Sequence, residues 1–412
     1  MASSRFFVIL LALVPSILGQ CSIETAKPYF GRSVYEFSID LAKRIAQENE
    51  NHFVASPLSI WALLATLSLG ASDVTLKEMQ EVLRLHQQKC FNNKMFVILN
   101  NTVRGDDVIT LDRSSSVFIE DQFPVKQSFI KKVRHNALAE VEIIKFDDFY
   151  EVARTINNYV SEKTYGHVDE IVLPDDLAGV HLILVDALYF KGNWLYPFVE
   201  SDTRPSAFYA SDGIAQIGYV DMMFVTAEFK WAKFDSINTE VIQLPYQSEK
   251  HAMLIFLPDK STNVPDLLDK LKSVSLSSIL NTVNQHTEQC QVKLPRFKVS
   301  SHLNNLKELL SDMGLRDAFS STAQLTEISD FALYVSDVVQ KASLEVNEEG
   351  SEASAASGGF VSSRSFSPEF YVDRPFLYMI VDLETKFPLF TGKKNATNVF
   401  LSNASAEHSR FI

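Results

Sequence analysis

Three short apolar runs, at residues 182–190, 253–257 and 376–381, set the strongest limit on the fold. Each is rich in β-branched or aromatic side chains, and each is too short for an ordinary buried helix. They read as well-buried strands. Residues 387–391 follow the last run after a polar turn, which predicts a hairpin near the C-terminus. The first hundred residues have a different texture. Val34, Phe37, Leu41 and Ile45 recur at helical spacing, predicting a helix near 30–46. Ser56-Pro57 opens a second helix, since Ser can cap free N–H groups and Pro is pre-set for the first turn. Its apolar side chains include Ile60, Leu63, Leu64 and Leu67. Thr75 and Glu78 form a capping-box pattern for a third helix. Residues 303–313 are helical in pattern and end at Gly314, a C-cap candidate. Helices early and strands late, without steady alternation, predict an α+β fold.

Composition narrows the class further. With 46% hydrophobic and 22% charged residues in 412, the chain can bury a large core and is not a disordered polymer. Its formal charge of −13 speaks against a nucleic-acid partner, which would need clustered Lys and Arg. Only 14 Gly and 14 Pro leave little material for long flexible or polyproline linkers.

The N-terminus reads as an address label. Arg5 precedes an apolar stretch, residues 6–18, and Gly19 is small enough for cleavage. At about 13 residues the stretch is too short for a bilayer, which needs roughly 20. Residues 1–19 are therefore expected to be a secretory signal peptide, cut after Gly19 or Gln20. No later run is long enough to span a membrane. Three glycan acceptor patterns fit secretion: Asn100-Asn101-Thr102, Asn395-Ala396-Thr397 and Asn403-Ala404-Ser405. Three cysteines, Cys21, Cys90 and Cys290, allow at most one internal disulfide, so the fold must be held by its core.

Catalytic patterns are missing. The sequence has no Gly-x-Ser-x-Gly elbow, no His-Glu-x-x-His helix and no phosphate-binding Gly-x-x-x-x-Gly-Lys. Its nine His show no metal-ligand spacing, and neither a metal nor a cofactor is expected. Lys131, Lys132, Arg134 and His135 form the best basic cluster. Such a short cluster reads as a solvated helix face, with a sulfated polysaccharide site as the sharper alternative.

The unusual stretch is residues 348–367, in which 350–359 are almost all Gly, Ser or Ala. A predicted strand at 342–346 leads into it, and a strand-like run begins at Phe370. Flexible-loop composition is one reading. Phase supplies another. Ser351, Ala353, Ala355, Ser357, Gly359 and Val361 form one side of an extended chain, with no charged or large polar group. A charge in that phase would cost several kcal/mol on burial unless paired. The segment is compatible with both an exposed loop and a buried central strand, which is what a bistable element requires.

At this point the chain resembles the serpins over nearly its whole mature length. The pieces occur in the family's order: Phe53-Val54-Ala55-Ser56-Pro57-Leu58-Ser59-Ile60, Leu67-Ser68-Leu69-Gly70-Ala71, Leu188-Tyr189-Phe190-Lys191-Gly192-Asn193-Trp194 with Pro197-Phe198, and Leu294-Pro295-Arg296-Phe297. Val346-Asn347-Glu348-Glu349-Gly350-Ser351 and Phe370-Tyr371-Val372-Asp373-Arg374-Pro375-Phe376 complete the set. The resemblance implies three β-sheets, about nine helices and an exposed reactive loop at about 348–369. It implies a single domain over residues 20–400, with 401–412 as a tail. The hinge is then Glu348, Glu349, Gly350, Ser351, Glu352, Ala353, Ser354, Ala355 and Ala356. Counting forward from Gly350 and backward from Pro375 by the family's usual spacings both give Arg364-Ser365 as the scissile bond. Neither Phe360 nor Phe366, which would suit a chymotrypsin-like enzyme, fits that register.

The implied activity is suicide inhibition of a trypsin-like serine protease, whose specificity-pocket carboxylate would pair with Arg364. The resemblance places Ser56, Asp186, Trp194 and Gln340 in the region that controls opening of the main sheet. Gln340 stands where many serpins have His, and Asp186 where many have Asn. Gly358-Gly359 should weaken an inserted strand by about 0.5–1 kcal/mol per Gly relative to Ala. The expected molecule is a secreted monomer with a protease as covalent partner. A non-inhibitory serpin (carrier, storage protein or chaperone) and a cross-class inhibitor of cysteine proteases are the alternatives.

Overall fold

The structure, a computed structural model, describes residues 21–48, 52–102, 109–136, 138–349 and 368–395. Among them are nine α-helices: α1 (Ile23–Glu48), α2 (Pro57–Leu67), α3 (Asp73–Val82), α4 (Lys89–Thr102), α5 (Gln127–Asn136), α6 (Phe149–Lys163), α7 (Val264–Leu271), α8 (Leu276–Val283) and α9 (Leu306–Asp312). The strands in the first half are β1 (Phe53–Ala55), β2 (Ile109–Glu120), β3 (Glu140–Ile144), β4 (Leu182–Gly192), β5 (Arg204–Tyr209) and β6 (Gln216–Phe234). Those in the second half are β7 (Thr239–Pro245), β8 (His251–Pro258), β9 (Thr287–Pro295), β10 (Phe297–Leu303), β11 (Asp337–Val346), β12 (Glu369–Tyr371), β13 (Phe376–Asp382) and β14 (Phe387–Lys394).

The strands form two hydrogen-bonded networks. The main sheet has five strands in the order β10-β11-β4-β2-β3. The larger network runs β1-β14-β13-β8-β7-β6-β9-β12, with β5 also on β6. Two of the expected sheets are fused there along β6, which is 19 residues long. Its start pairs with β5, its middle with β9 and its end with β7. The three apolar runs are β4, β8 and β13, and the predicted hairpin is β13–β14 in antiparallel register. Every residue of β8 and β13 is buried, and the apolar runs end together at His251 and Asp382, whose side chains lie 3.7 Å apart.

Local chemistry explains the helices. Ser56 caps α2, its side chain accepting from the Ser59 amide, with Pro57 at the first position. All eleven residues of α2 are buried, because it is apolar on every side. Helix α6 has Val152, Ala153, Ile156 and Val160 along one stripe, and these meet Ile183, Val185 and Ala187 of β4. The opposite face of β4, with Leu182, Leu184, Leu188 and Phe190, looks into the large core. The main sheet is therefore covered on both sides, by α6 outside and by the large core inside.

Three expectations need correction. Helix α1 extends from Ile23 to Glu48, beyond the apolar repeat that announced it. Thr75 and Glu78 are not a capping box, because α3 starts at Asp73 with Ser72 before it. Thr75 instead donates to the Asp317 carboxylate, and Glu78 accepts from the amides of Arg316 and Asp317, both at 2.7 Å. A distant loop has taken over the groups that would have closed a local motif. Helix α9 begins at Leu306 rather than 303, since Phe297–Leu303 is recruited into the main sheet by pairing with β11. Gly314 lies just past the helix with φ +113°, the left-handed region that glycine reaches freely.

Candidate functional site

The centre of the main sheet contains a parallel pair. β11 and β4 are hydrogen-bonded neighbours in parallel register from Asp337↔Ile183 to Leu344↔Phe190. The outer neighbours of that pair, β10 and β2, are antiparallel to it. A parallel ladder is slightly less stable per residue than an antiparallel one. β11 ends at Val346 and leads directly into the small-residue segment. A strand returning from there between β11 and β4 would be antiparallel to both. One parallel pairing would be exchanged for two antiparallel ones.

A polar rung crosses the same strands on the face toward the large core. Gln340, Asp186 and Ser115 are register partners on β11, β4 and β2. Gln340 and Asp186 are 0% exposed. The Gln340 amide nitrogen donates to Asp186 Oδ2 at 2.6 Å and to the Ser56 carbonyl at 3.0 Å, while its oxygen accepts from the Ser56 amide at 2.9 Å. The Ser115 hydroxyl donates to the other oxygen of Asp186. Ser56 Oγ donates to the Leu389 carbonyl at 2.7 Å, tying the rung to β14. Arg113, on the same face of β2 as Ser115, donates from Nε to Ser59 Oγ at 2.8 Å. Burial pushes the Asp186 carboxyl up, against the opposing pull of Arg113 and its hydrogen-bond donors. Burial likewise pulls the Arg113 guanidinium down, and Asp186 opposes that shift.

The two ends of the segment are held by fixed posts. At the departing end, Trp194 Nε1 donates to the Asn347 carbonyl at 2.9 Å, and its ring stacks on Tyr246 at 4.7 Å. The Phe198 amide donates to the Glu348 carbonyl at 3.0 Å. The Glu348 side chain is buried and accepts from Thr203 at 2.7 Å and from Arg296 at 3.4 Å. Arg296 is itself held by Asp221 at 2.7 Å. At the returning end, the Gln291 amide donates to the Pro368 carbonyl at 2.9 Å, and β12 pairs in parallel with β9. Lys293 forms an ion pair with Glu369 beside it.

A family model described as serpin (serine protease inhibitor) matches residues 32–396. The chain belongs to the serpin family. Neuroserpin of Gallus gallus is 31% identical over 404 residues, covering 94% of this chain and 96% of its own. The solved structure of uncleaved ovalbumin matches with a TM-score of 0.79 at 28% identity, over 89% of this chain and 100% of its own. That of native protease nexin-1 with heparin gives 0.78 at 27% identity, over 91% and 100%. The chain is thus a member of a protease-inhibitor family with the serpin fold, an α+β architecture.

Within this serpin, Ser56, Asp186 and Gln340 meet in one network, and Trp194 stands apart at the departing post. Glu348 is buried and Glu349 is exposed. Gly350, Ser351, Glu352, Ala353, Ser354, Ala355 and Ala356, with Arg364 and Ser365, lie outside the described residues. So do the proposed signal peptide and Asn403. Asn100 is half-buried in α4, and Asn395 follows β14. Lys131, Lys132, Arg134 and His135 are all exposed on α5, with Lys132 facing Glu327 at 3.4 Å. Among the described residues no cluster of metal-ligating side chains is found, and no helix is long and apolar enough to cross a membrane.

Arg113, Ser115, Thr203 and Arg296 are the site residues that the sequence reading missed. A signal for two of them exists. Asp112-Arg113-Ser114-Ser115-Ser116 is polar just before the apolar Val117-Phe118-Ile119 of the same strand, and polar groups that enter a core need partners. Arg296 lay within a quoted family motif, yet its partner Glu348 is far away in sequence.

Proposed function

We propose that this serpin is a secreted suicide inhibitor of trypsin-like serine proteases, with Arg364-Ser365 as the bond attacked. The observation that carries the reading is the parallel β11–β4 pair at the centre of a five-stranded sheet, with β11 feeding the small-residue segment. The target's serine attacks the Arg364 carbonyl carbon, the peptide bond to Ser365 breaks, and the new N-terminus leaves with Ser365. An acyl-enzyme remains on Arg364. Freed at one end, the chain from Ser351 onward folds back from the post at Glu348 and enters between β11 and β4. About 14 residues at roughly 3.3 Å each would carry the attached protease some 46 Å along the sheet. Its active site is distorted before water can hydrolyse the ester.

Residue chemistry supports the steps. Ser351, Ala353 and Ala355 would take the inward phase without burying a charge. Glu348 remains fixed by Phe198, Thr203 and Arg296, so the turn has a firm pivot. The polar rung of Gln340, Asp186 and Ser115 lies directly beneath the line of parting and would have to exchange partners. Helix α6 covers the outer face and must lift transiently. Residues 20–400 act as one domain, residues 1–19 as the signal for secretion and 401–412 as a tail. Asn100, Asn395 and Asn403 are the proposed glycan acceptors.

Incubation with trypsin tests the reading. An SDS-stable adduct and a released fragment beginning at Ser365 are expected. Cleavage there without an adduct would mean a non-inhibitory serpin. An adduct with a papain-like cysteine protease, and none with trypsin, would mean the cross-class alternative. A sulfated polysaccharide is not needed for any step, and on α5 one of the three cationic side chains already faces Glu327.

A further inference from the structure

The described structure brings two of the three thiols together. Cys21 lies two residues before the start of α1, and Cys90 is the second residue of α4. The start of α1 is seated on the connector into α4. Tyr29 Oη donates to the Arg84 carbonyl at 3.1 Å, and its ring meets the His86 ring edge-on at 4.9 Å. His86 in turn stacks on Phe91, beside Cys90, at 4.2 Å. Cys21 is half-buried against the large core, and Cys90 is exposed with its Sγ 4.0 Å from Gln88 Oε1. Desolvation first, and then the neighbouring Cys90 thiol, push the Cys21 thiol up, while Lys94 opposes the shift. Lys94 lies one turn beyond Cys90, and α1 packs directly against α4. Cys290 is of another kind. It is 0% exposed, and burial pushes its thiol up to about 11, so it is a structural apolar residue with little reactivity.

We propose that Cys21 and Cys90 form a disulfide that staples the start of α1 to α4, leaving Cys290 as the single thiol. The oxidant is a small-molecule or protein disulfide of an oxidising compartment. The exposed Cys90 thiolate attacks one sulfur of that disulfide and expels the other as a thiol. The Cys21 thiolate then attacks Cys90 Sγ in the mixed disulfide and expels the second thiol. One disulfide is reduced to two thiols, two protein thiols are oxidised to one bond, and two protons pass to the leaving thiolates. Helix α4 precedes β2 in the chain and packs against α1 and α5, so the staple would tie the start of α1 into that helical layer.

The test supplies its own oxidant and does not depend on secretion or on protease trapping. The full chain is reduced, equilibrated with oxidised glutathione, denatured and alkylated. The reduced sample should take three alkyl groups. The oxidised sample should take one, on Cys290, and unreduced peptide mapping should join Cys21 to Cys90. In Cys90→Ser no internal link should form, and any Cys21 lost to alkylation should be recovered as a glutathione adduct. Three alkylated thiols after oxidation would overturn the proposal. So would a persistent glutathione adduct on Cys90, or a Cys90–Cys90 dimer in place of the internal bond.

Discussion

The two β-networks solve the burial problem in opposite ways. In the larger one, β8 and β13 are buried at every residue, and Tyr378 closes over Gly392 with its hydroxyl donating to the Phe53 carbonyl at 3.2 Å. In the main sheet, the central rung is Gln340, Asp186 and Ser115, with Arg113 next to it. An apolar filling gains stability with every contact and gives no purchase to water. A buried polar rung holds only while each member keeps its partner. The difference teaches where the molecule can part: along the parallel β11–β4 pair, whose underside carries hydrogen bonds that can be remade.

The largest expected effect breaks or confirms that comparison outright. After a single cut at Arg364-Ser365 the main sheet should gain its sixth strand, and the melting midpoint should rise by about 10 °C or more. Calorimetry of intact and cut protein measures it. Equal midpoints would mean that the main sheet is as complete as the larger network. Ser351→Arg should remove the rise and turn the inhibitor into a substrate, because a guanidinium would enter the inward phase.

Next comes the rung itself. Asp186→Ala leaves Arg113 without its carboxylate and the Gln340 amide without one acceptor. A loss of about 3 kcal/mol or more in urea denaturation is expected. Asp186→Asn keeps shape and hydrogen bonding and should lose less. A change within about 0.5 kcal/mol for Asp186→Ala would place the rung among surface features, where such values are ordinary.

The larger network is probed by overpacking. A methyl group added at Gly392 would run into the Tyr378 ring and the Phe53 carbonyl. Gly392→Ala should cost about 1–3 kcal/mol, read from the same denaturation curves. It should leave the inhibition ratio of the surviving folded protein unchanged, since the added methyl meets Tyr378 and Phe53 rather than a side chain of β11 or β4. A changed ratio with unchanged stability would merge the two regions into one mechanical unit.

Sequence legibility divided apolar strands, β4 of the main sheet included, from buried polar contacts. The larger network was readable because continuous apolar runs can satisfy only buried strands, and β8, β13 and the β13–β14 hairpin lie where those runs are. Helix α2 was readable because Ser56-Pro57 carries its cap locally. The main-sheet rung was legible only in part: the family resemblance named Ser56, Asp186 and Gln340, while Arg113 and Ser115 went unread. Arg113 and Asp186 act on each other electrostatically from neighbouring strands, and nothing near either residue announces the other. Thr75 and Glu78 looked like a local motif and instead serve a loop more than two hundred residues away. Cys21 and Cys90 were counted as a pairing option without a sign that α1 and α4 bring them together. Long-range polar pairing has no period, so propensity and pattern do not report it.

The smallest effect is a pH dependence at the far end of the parallel pair. Asp337 starts β11 opposite Ile183, and its carboxyl is pushed up to about 6 from an ordinary 3.8. Burial is the main cause, with Glu308 and Asp176 raising it further and the Val338 amide and Lys307 opposing. The Val338 amide donates to it at 2.7 Å, and Lys307 is engaged with the Ser336 carbonyl at 3.0 Å. Because the folded state holds this proton more tightly than the unfolded state, the contribution is fully present below the ordinary value. It falls away as pH rises through about 6. The difference in unfolding free energy between wild type and Asp337→Asn should therefore slope against the wild type from about pH 4 to about 6 and level off above. Urea curves at closely spaced pH values measure it. A difference that is flat across that window would show Asp337 to be as well solvated folded as unfolded, and the foot of the β11–β4 pair would no longer differ from an ordinary sheet end.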